Sequence, residues 1–371
     1  MSSSRSGPAG QPLRVWLVGC GTVGQWVADA LLSGQRRLAD RYGIAVSVVG
    51  LGTARGGFIF DPDGLDLPVT LGLVRDGRPI ADQAGVRDWA SAIDGMRATE
   101  ADLLVEVTGS PPVDGEPGVT HLREALGRGI PVVTSNKWPV ALHGVELAEL
   151  ARARGVALRA ESTVMSGTPV LSALGDGLAG TVPIGLHGLL NATANVILSR
   201  MDQGESYPDA LAGAQRAGLA ERDPAADVDG HDSVAKLMIL SALVFGRQLR
   251  REQVARRGIA DITRTDIDEA RGLGARVKHV ARLGFAEPDG LGAVTARIEP
   301  EFVQRDDPIA NVDGTANVVV CRAAPIGQVT IVGPGAGPEL AGQGVFSDLI
   351  AVARALRLPA GQPPNGLPPN A

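Results

Sequence analysis

Cysteines and aromatic residues are scarce in this sequence, and long apolar or basic runs are missing. Two cysteines in 371 residues, Cys20 and Cys321, supply neither metal-site spacing nor a disulfide framework, which fits a reducing, cytoplasmic setting. Aromatics make up 3% of the chain, so a core must be built mainly from Val, Leu, Ile and Ala. The opening stretch MSSSRSGPAGQP lacks the apolar segment of a signal peptide. No apolar run reaches the roughly 18 residues of a membrane helix. The net charge of −6 and the lack of a long basic run argue against a nucleic-acid partner. What is present is a soluble composition, 44% hydrophobic, long enough for two or three domains with ample core.

The most informative stretch runs from Asn191 to Leu240. Its turn from Ala220 to Asp232 gathers Glu221, Asp223, Asp227, Asp229 and Asp232. Lys236 is the only charge in the apolar run from Val234 to Phe245, which is long enough for a buried helix. Asp232 and Lys236 are four residues apart and share one helix face. Burial lowers the pKa of such a lysine and a neighbouring carboxylate raises it, so the pair is a candidate acid/base group. The same spacing equally fits an exposed salt bridge on the solvent side of an amphipathic helix.

The N-terminal half alternates strands and helices, as a doubly wound, mostly parallel α/β sheet requires. Residues 13–19 form an apolar strand that runs into Gly19-Cys20-Gly21-Thr22-Val23-Gly24, with a helical pattern through Leu32 behind it. In that context the first glycine serves a tight turn and the second a close approach to a pyrophosphate. The third allows close helix–strand packing, with the helix N-terminus toward the anion. A second strand over residues 45–52 ends in Gly52-Thr53-Ala54-Arg55-Gly56. An acid there would bind ribose hydroxyls; Arg55 instead favours a 2′-phosphate and hence NADP, unless it is only a solvated loop residue.

Residues 58–83 read as a loop-rich insertion with one short helix. Further strands over residues 102–108 and 130–134 end in Thr108 and in Ser135-Asn136-Lys137. Strand C-termini are where α/β sheets bind ligands, so Lys137 is a second candidate charge for catalysis or cofactor contact. Helices are expected over residues 119–128, 145–154 and 345–356, and one capped at Thr265-Asp266 running to Leu283. Strands are expected over 184–190, 294–298, 317–323 and 328–332. The turn from Glu161 to Pro169 collects hard oxygens that could hold a monovalent cation, although an ordinary Gly-Pro turn also accounts for it. Gly333 to Gly337 suggests another close backbone approach.

Taken in order, GCGTVG, TSNKWPVA, ESTVMSGTPV, LLNATANVIL, GLAERDPAADVDGHDSVAK and GPGAG resemble the motifs of the homoserine dehydrogenase family over roughly residues 13–357. The resemblance implies interconversion of L-homoserine and L-aspartate 4-semialdehyde with NAD(P). It implies a Rossmann-type dinucleotide-binding domain over 13–160, with residues 338–357 returning to it, and an α/β catalytic and dimerisation domain over 161–337. Segments 1–12 and 358–371 are expected to be disordered, and the resemblance is to the family's short form, expected to lack a C-terminal ACT regulatory domain. A homodimer is implied as well.

Residue by residue, Lys236 resembles the proton donor, Glu221 and Asp232 the substrate-binding acids, with Asp227 in support. Lys137 resembles the lysine between nicotinamide and substrate. Thr22, Val23, Thr108, Ser135 and Gly337 resemble cofactor contacts, beside Gly19, Gly21, Gly24 and Arg55. Glu161, Val164, Ser166 and Thr168 resemble a sodium site.

Three departures stand out: Asn191-Ala192-Thr193-Ala194-Asn195 for the usual NGTTN, Trp138 where glycine is common, and Glu339 to Gln343 in place of a Thr-Ala-Ser run. A paralogous dehydrogenase for another small hydroxy or aldehyde substrate, and a non-catalytic NADP-binding sensor, are the alternatives. Turnover of L-homoserine separates them, and the joint presence of Lys137, Glu221, Asp232 and Lys236 speaks against the sensor.

Overall fold

The structure is a computed structural model and describes residues 11–285 and 292–357. The disorder expected at both ends falls outside the described residues, except for Gln11 and Pro12, which are exposed. Two compact units divide the chain. Among the described residues, unit 1 comprises 11–139, 146–162 and 341–357, and unit 2 comprises 140–145, 163–285 and 292–340.

Unit 1 begins with β1 (Leu13–Val18), α1 (Thr22–Tyr42) and β2 (Val46–Thr53). It continues through β3 (Gly57–Phe60), α2 (Leu67–Arg75), β4 (Arg87–Trp89) and α3 (Ala92–Ala98). β5 (Leu103–Glu106), α4 (Gly118–Gly127), β6 (Val132–Thr134), α5 (Lys137–Arg154) and β7 (Leu158–Arg159) complete its sheet. The strand order is β4-β3-β2-β1-β5-β6-β7, with β3 and β4 antiparallel and the others parallel. Residues 58–83 are therefore not mainly loop. The apolar run Phe58-Ile59-Phe60 adds a strand to β2 through a tight hairpin, and that pairing supplies what the local sequence does not advertise. α1 also continues well beyond Leu32, because Val27, Ala28, Leu31 and Leu38 keep one apolar stripe against the core.

Unit 2 contains α6 (Ser162–Met165) from Thr163 onward, α7 (Val170–Gly175), β8 (Val182–Leu189), α8 (Ala192–Asp202), α9 (Tyr207–Arg216), α10 (Ala225–Val228) and α11 (His231–Phe245). β9 (Val254–Arg256), α12 (Arg264–Gly272), β10 (Ala275–Phe285), β11 (Val294–Gln304), β12 (Ala316–Ala324) and β13 (Gly327–Pro334) follow. Its six-stranded sheet has the order β13-β12-β8-β10-β11-β9. The helix expected to run to Leu283 is instead two elements. Thr263 and Asp266 form a reciprocal capping box for α12, which stops at Gly272. Gly274 then takes φ +71 and the chain enters β10. β10 is a central strand, and eight of its eleven residues are buried, so its sequence does not alternate apolar with polar.

The last helix, α13 (Pro338–Arg357), starts earlier than expected. From Ala341 onward it belongs to unit 1, where Val345, Phe346, Leu349, Val352 and Ala353 join the core of β1, β2 and α1. Phe346 is 1% exposed and meets Trp26 edge-on at 6.4 Å between ring centroids. Gly342 permits that contact, since a Cβ there would lie 2.3 Å from the Trp26 ring. Phe346→Ala is expected to cost unit 1 roughly 3–5 kcal/mol, through lost burial plus the cavity left behind. Urea unfolding followed by tryptophan fluorescence measures it, and a loss below about 1 kcal/mol would contradict the packing role.

Candidate active site

In unit 1 the turn after β1 is shaped by contact. Gly19 has φ +105, and a Cβ on it would fall 2.6 Å from the Val107 carbonyl carbon. A Cβ on Gly24 would fall 2.0 Å from the Gly19 oxygen, so α1 can lie against the turn only with glycine there. Gly21 and Thr22 are exposed, with nothing within 4 Å of a Cβ on Gly21. Gly21 is the N-cap of α1, and no side chain caps the first amides. An open, uncapped helix N-terminus behind a glycine turn fits a dinucleotide pyrophosphate. Arg55 is exposed in the hairpin that joins β2 to β3, and no acid ends β2.

The C-terminal ends of β5 and β6 meet around Glu106, a residue the sequence analysis did not single out. It is fully buried. One carboxylate oxygen accepts from the Thr108 N–H at 3.2 Å and from the Thr108 hydroxyl. The other accepts from the Thr134 hydroxyl at 3.1 Å. Asn136 Nδ2 donates to Thr108 Oγ1 at 3.1 Å and to Ser110 Oγ at 2.7 Å, and the Asn136 N–H donates to Thr134 Oγ1 at 3.0 Å. His121 Nδ1 stands 3.7 Å from the carboxylate. This network fixes the backbone of Thr108, Ser135 and Asn136 just ahead of Lys137, which opens α5 and is half-buried. A lone Glu inside LLVEVT was the available signal, since an acid in a central strand must find partners.

In unit 2, Lys236 lies in α11 with its side chain 6% exposed. Its ammonium donates to the Leu190 carbonyl at 2.6 Å and pairs with Asp232 at 2.9 Å, one helical turn earlier. Lys236 is therefore buried, and the exposed salt bridge is excluded. Asn191, N-cap of α8, accepts from the Ala194 N–H through Oδ1 at 2.8 Å. Its Nδ2 donates to Asp227 at 2.7 Å and to Asp232 at 3.3 Å. The first Asn of NATAN thus ties the two acids together, and Ala194 contributes only its backbone N–H. The second, Asn195, donates to the carbonyls of Val312, Gly314 and Ala316. Glu221 is not brought in among the described contacts: its carboxylate is exposed in the turn between α9 and α10.

Ser166 is the one described non-glycine residue with positive φ, +51. Its hydroxyl donates to the Gly335 carbonyl at 3.2 Å, and that of Thr168 to the Pro334 carbonyl at 3.0 Å. Val164, Ser166 and Thr168 share one turn of unit 2. Glu161 belongs to unit 1, where its N–H donates to the Asp348 carboxylate at 2.9 Å. Among the described residues no three His, Cys, Asp or Glu side chains cluster as metal ligands. Gly337 has φ +129 and precedes α13.

A glycine turn before an open helix N-terminus in one unit, and a buried lysine–carboxylate pair in the other, fit the class of dinucleotide-dependent oxidoreductases. Residues 19–161 match the model of the homoserine dehydrogenase NAD-binding domain, and residues 169–350 that of homoserine dehydrogenase. The NAD(+)-dependent homoserine dehydrogenase of Pseudomonas canavaninivorans is 35% identical over 91% of this chain and 95% of its own. The homoserine dehydrogenase structure from Thiobacillus denitrificans superposes with a TM-score of 0.76 at 32% identity, covering 93% of this chain and 74% of the other. A hyperthermophilic archaeal homoserine dehydrogenase in complex with NADPH gives a TM-score of 0.75 at 28% identity, covering 94% and 99%. The chain belongs to the homoserine dehydrogenase family, and so to the enzymes that interconvert L-homoserine and L-aspartate 4-semialdehyde with NAD(P).

Replacing Glu106 by Leu is expected to strand the Thr108 and Thr134 hydroxyls at a cost of roughly 1–3 kcal/mol each. Glu106→Gln, which keeps an acceptor oxygen, should recover most of that loss. Urea unfolding of the two variants checks this; equal stability of Leu and Gln variants would count against the network.

Proposed function

We propose that Lys236 supplies the proton to the substrate oxygen when L-aspartate 4-semialdehyde is reduced, and takes it back in the oxidation of L-homoserine. The observation that carries this is the buried ammonium held between the Leu190 carbonyl and Asp232. A fixed ammonium in a site of low dielectric both stabilises a developing alkoxide and can protonate it. Asp232 keeps that ammonium oriented, and Asn191 keeps Asp232 and Asp227 on the same side of the group. Asp227, Asp232 and Glu221 are assigned to the substrate ammonium, which carboxylates accept from. Glu221 would have to turn in from its exposed position.

Gly19, Gly21, Thr22, Val23 and Gly24 are assigned to the pyrophosphate, and Thr108, Ser135, Lys137 and Gly337 to the rest of the cofactor. Bound there, the dinucleotide provides the hydride. Arg55, exposed and without a neighbouring acid at the end of β2, supports NADP over NAD. The turn of Val164, Ser166 and Thr168 is assigned to a monovalent cation bound largely by carbonyl oxygens. A homodimer is supported by the edge strand β13, where Val332 is 53% exposed, and by Ile326, 54% exposed in the turn before it. A reducing, cytoplasmic setting is supported by the two free, buried cysteines; burial pushes the Cys20 thiol up to about 11.

Lys236→Met is expected to lower kcat by ~10²–10⁴ while the protein stays folded and binds cofactor. Steady-state kinetics with L-homoserine, beside cofactor titration, test it, and near-normal kcat sinks the proton-donor role. NADPH should bind more tightly than NADH, and Arg55→Asp should reverse that order. Equal dissociation constants in the unmodified protein would refute the role given to Arg55.

A further inference from the structure

Asn317 lies on β12 and is fully buried, yet neither atom of its side-chain amide has a hydrogen-bond partner. Among the described residues of unit 2, no other buried side chain carries an unpartnered polar atom. A buried amide without partners is unfavourable, and such a group calls for a reason. Directly against it lies the Gly333–Gly337 segment. A Cβ on Gly335 would fall 2.1 Å from Asn317 Cγ and 2.3 Å from both amide heavy atoms. Only glycine fits at that approach, and its backbone passes within reach of the amide without bonding to it.

Two carbonyls of this segment are engaged elsewhere. Pro334 accepts from the Thr168 hydroxyl at 3.0 Å and Gly335 from the Ser166 hydroxyl at 3.2 Å. Ser166 holds its end of that contact from the left-handed region, at φ +51, which few non-glycine residues adopt. Gly335 has no side chain to oppose rotation of its peptide groups, and Gly337, at φ +129, gives a second point of freedom before α13. A rotation at Gly335 would present an N–H or C=O to the amide and meet its unsatisfied bonds.

We propose that Asn317 is a positioning residue for the dinucleotide: its amide takes a backbone partner in the Gly333–Gly337 segment when the cofactor is bound. This rests on the assignment of Gly337 as a cofactor contact. In the free protein the amide is a burden, and in the bound protein it holds the segment in the binding arrangement. The two states therefore respond to its removal with opposite sign, which a merely structural residue would not do.

The test uses the full-length protein and the variants Asn317→Leu, close in size, and Asn317→Val, suited to a strand. Thermal melting is recorded without cofactor, and the NADP dissociation constant is measured by calorimetric titration. The expected result is a melting temperature at or above that of the parent together with a dissociation constant raised about tenfold, the loss of one hydrogen bond. Unchanged NADP affinity in the variants, with the parent binding NADP, overturns the proposal alone. A variant that melts lower or fails to fold also overturns it, because the amide would then be serving the free protein. A parent that does not bind NADP overturns the cofactor assignment and this proposal with it.

Discussion

An ionisable group withdrawn from water must be met by partners, and in each unit that requirement gathers the candidate functional residues. In unit 2 the group is Lys236. An ammonium inside an apolar helix is costly unless acceptors reach it, so the Leu190 carbonyl at the end of β8 and Asp232 on the same helix face both turn to it. Asp232 in turn draws Asn191 and, through it, Asp227. The end of a strand, the cap of α8, the short helix α10 and the first turn of α11 are thereby tied to one charge. In unit 1 the corresponding group is Glu106. Its carboxylate collects hydroxyls from two strand ends and so fixes the backbone that leads into Lys137.

Burial alone does not mark a lysine as chemical. Lys278 in β10 is only 1% exposed, and burial pushes its pKa down. Its ammonium donates to Asn195 Oδ1, the Val312 carbonyl and Asp313, three acceptors for three protons. Arg276 joins the same Asp313 and also Asp202. The carboxyl group of Asp313 is itself held down to about 2, despite partial burial, by its bonds to Arg276 and Lys278. Such a saturated cluster braces β10 against α8 and the 311–313 turn. Lys236 differs in company: it stands with Asp232, which shares the Asn191 amide with Asp227, beside the Leu190 carbonyl that follows β8.

Much of this could be read along the chain. The glycine turn after β1 was legible because Gly19 and Gly24 answer to local sterics, a positive φ and a helix pressed against a turn. The pairing of Asp232 with Lys236 was legible because helical spacing is a local property. Glu106 was missed, since nothing in LLVEVT shows that Thr134 and Asn136, some thirty residues on, will bring their donors to it. Asn317 was missed because its significance is the lack of a partner, which no sequence displays.

Most of the helices and strands of the first unit, the glycine turn after β1, the acid–lysine spacing and the family were written in the sequence. They were legible through 3.6- and 2-residue periods and through glycines whose necessity is local. Tertiary structure alone decided that residues 275–285 are a strand and not the continuation of α12. A strand covered on both faces loses its alternation and is told from a helix only by the neighbours it pairs with, here β8 and β11. It alone decided that 57–60 and 87–89 extend the first sheet, and that Lys236 is buried while Glu221 is not. Burial and hydrogen bonding between distant residues depend on which surfaces meet, and that is settled only when the whole chain has found its lowest free energy.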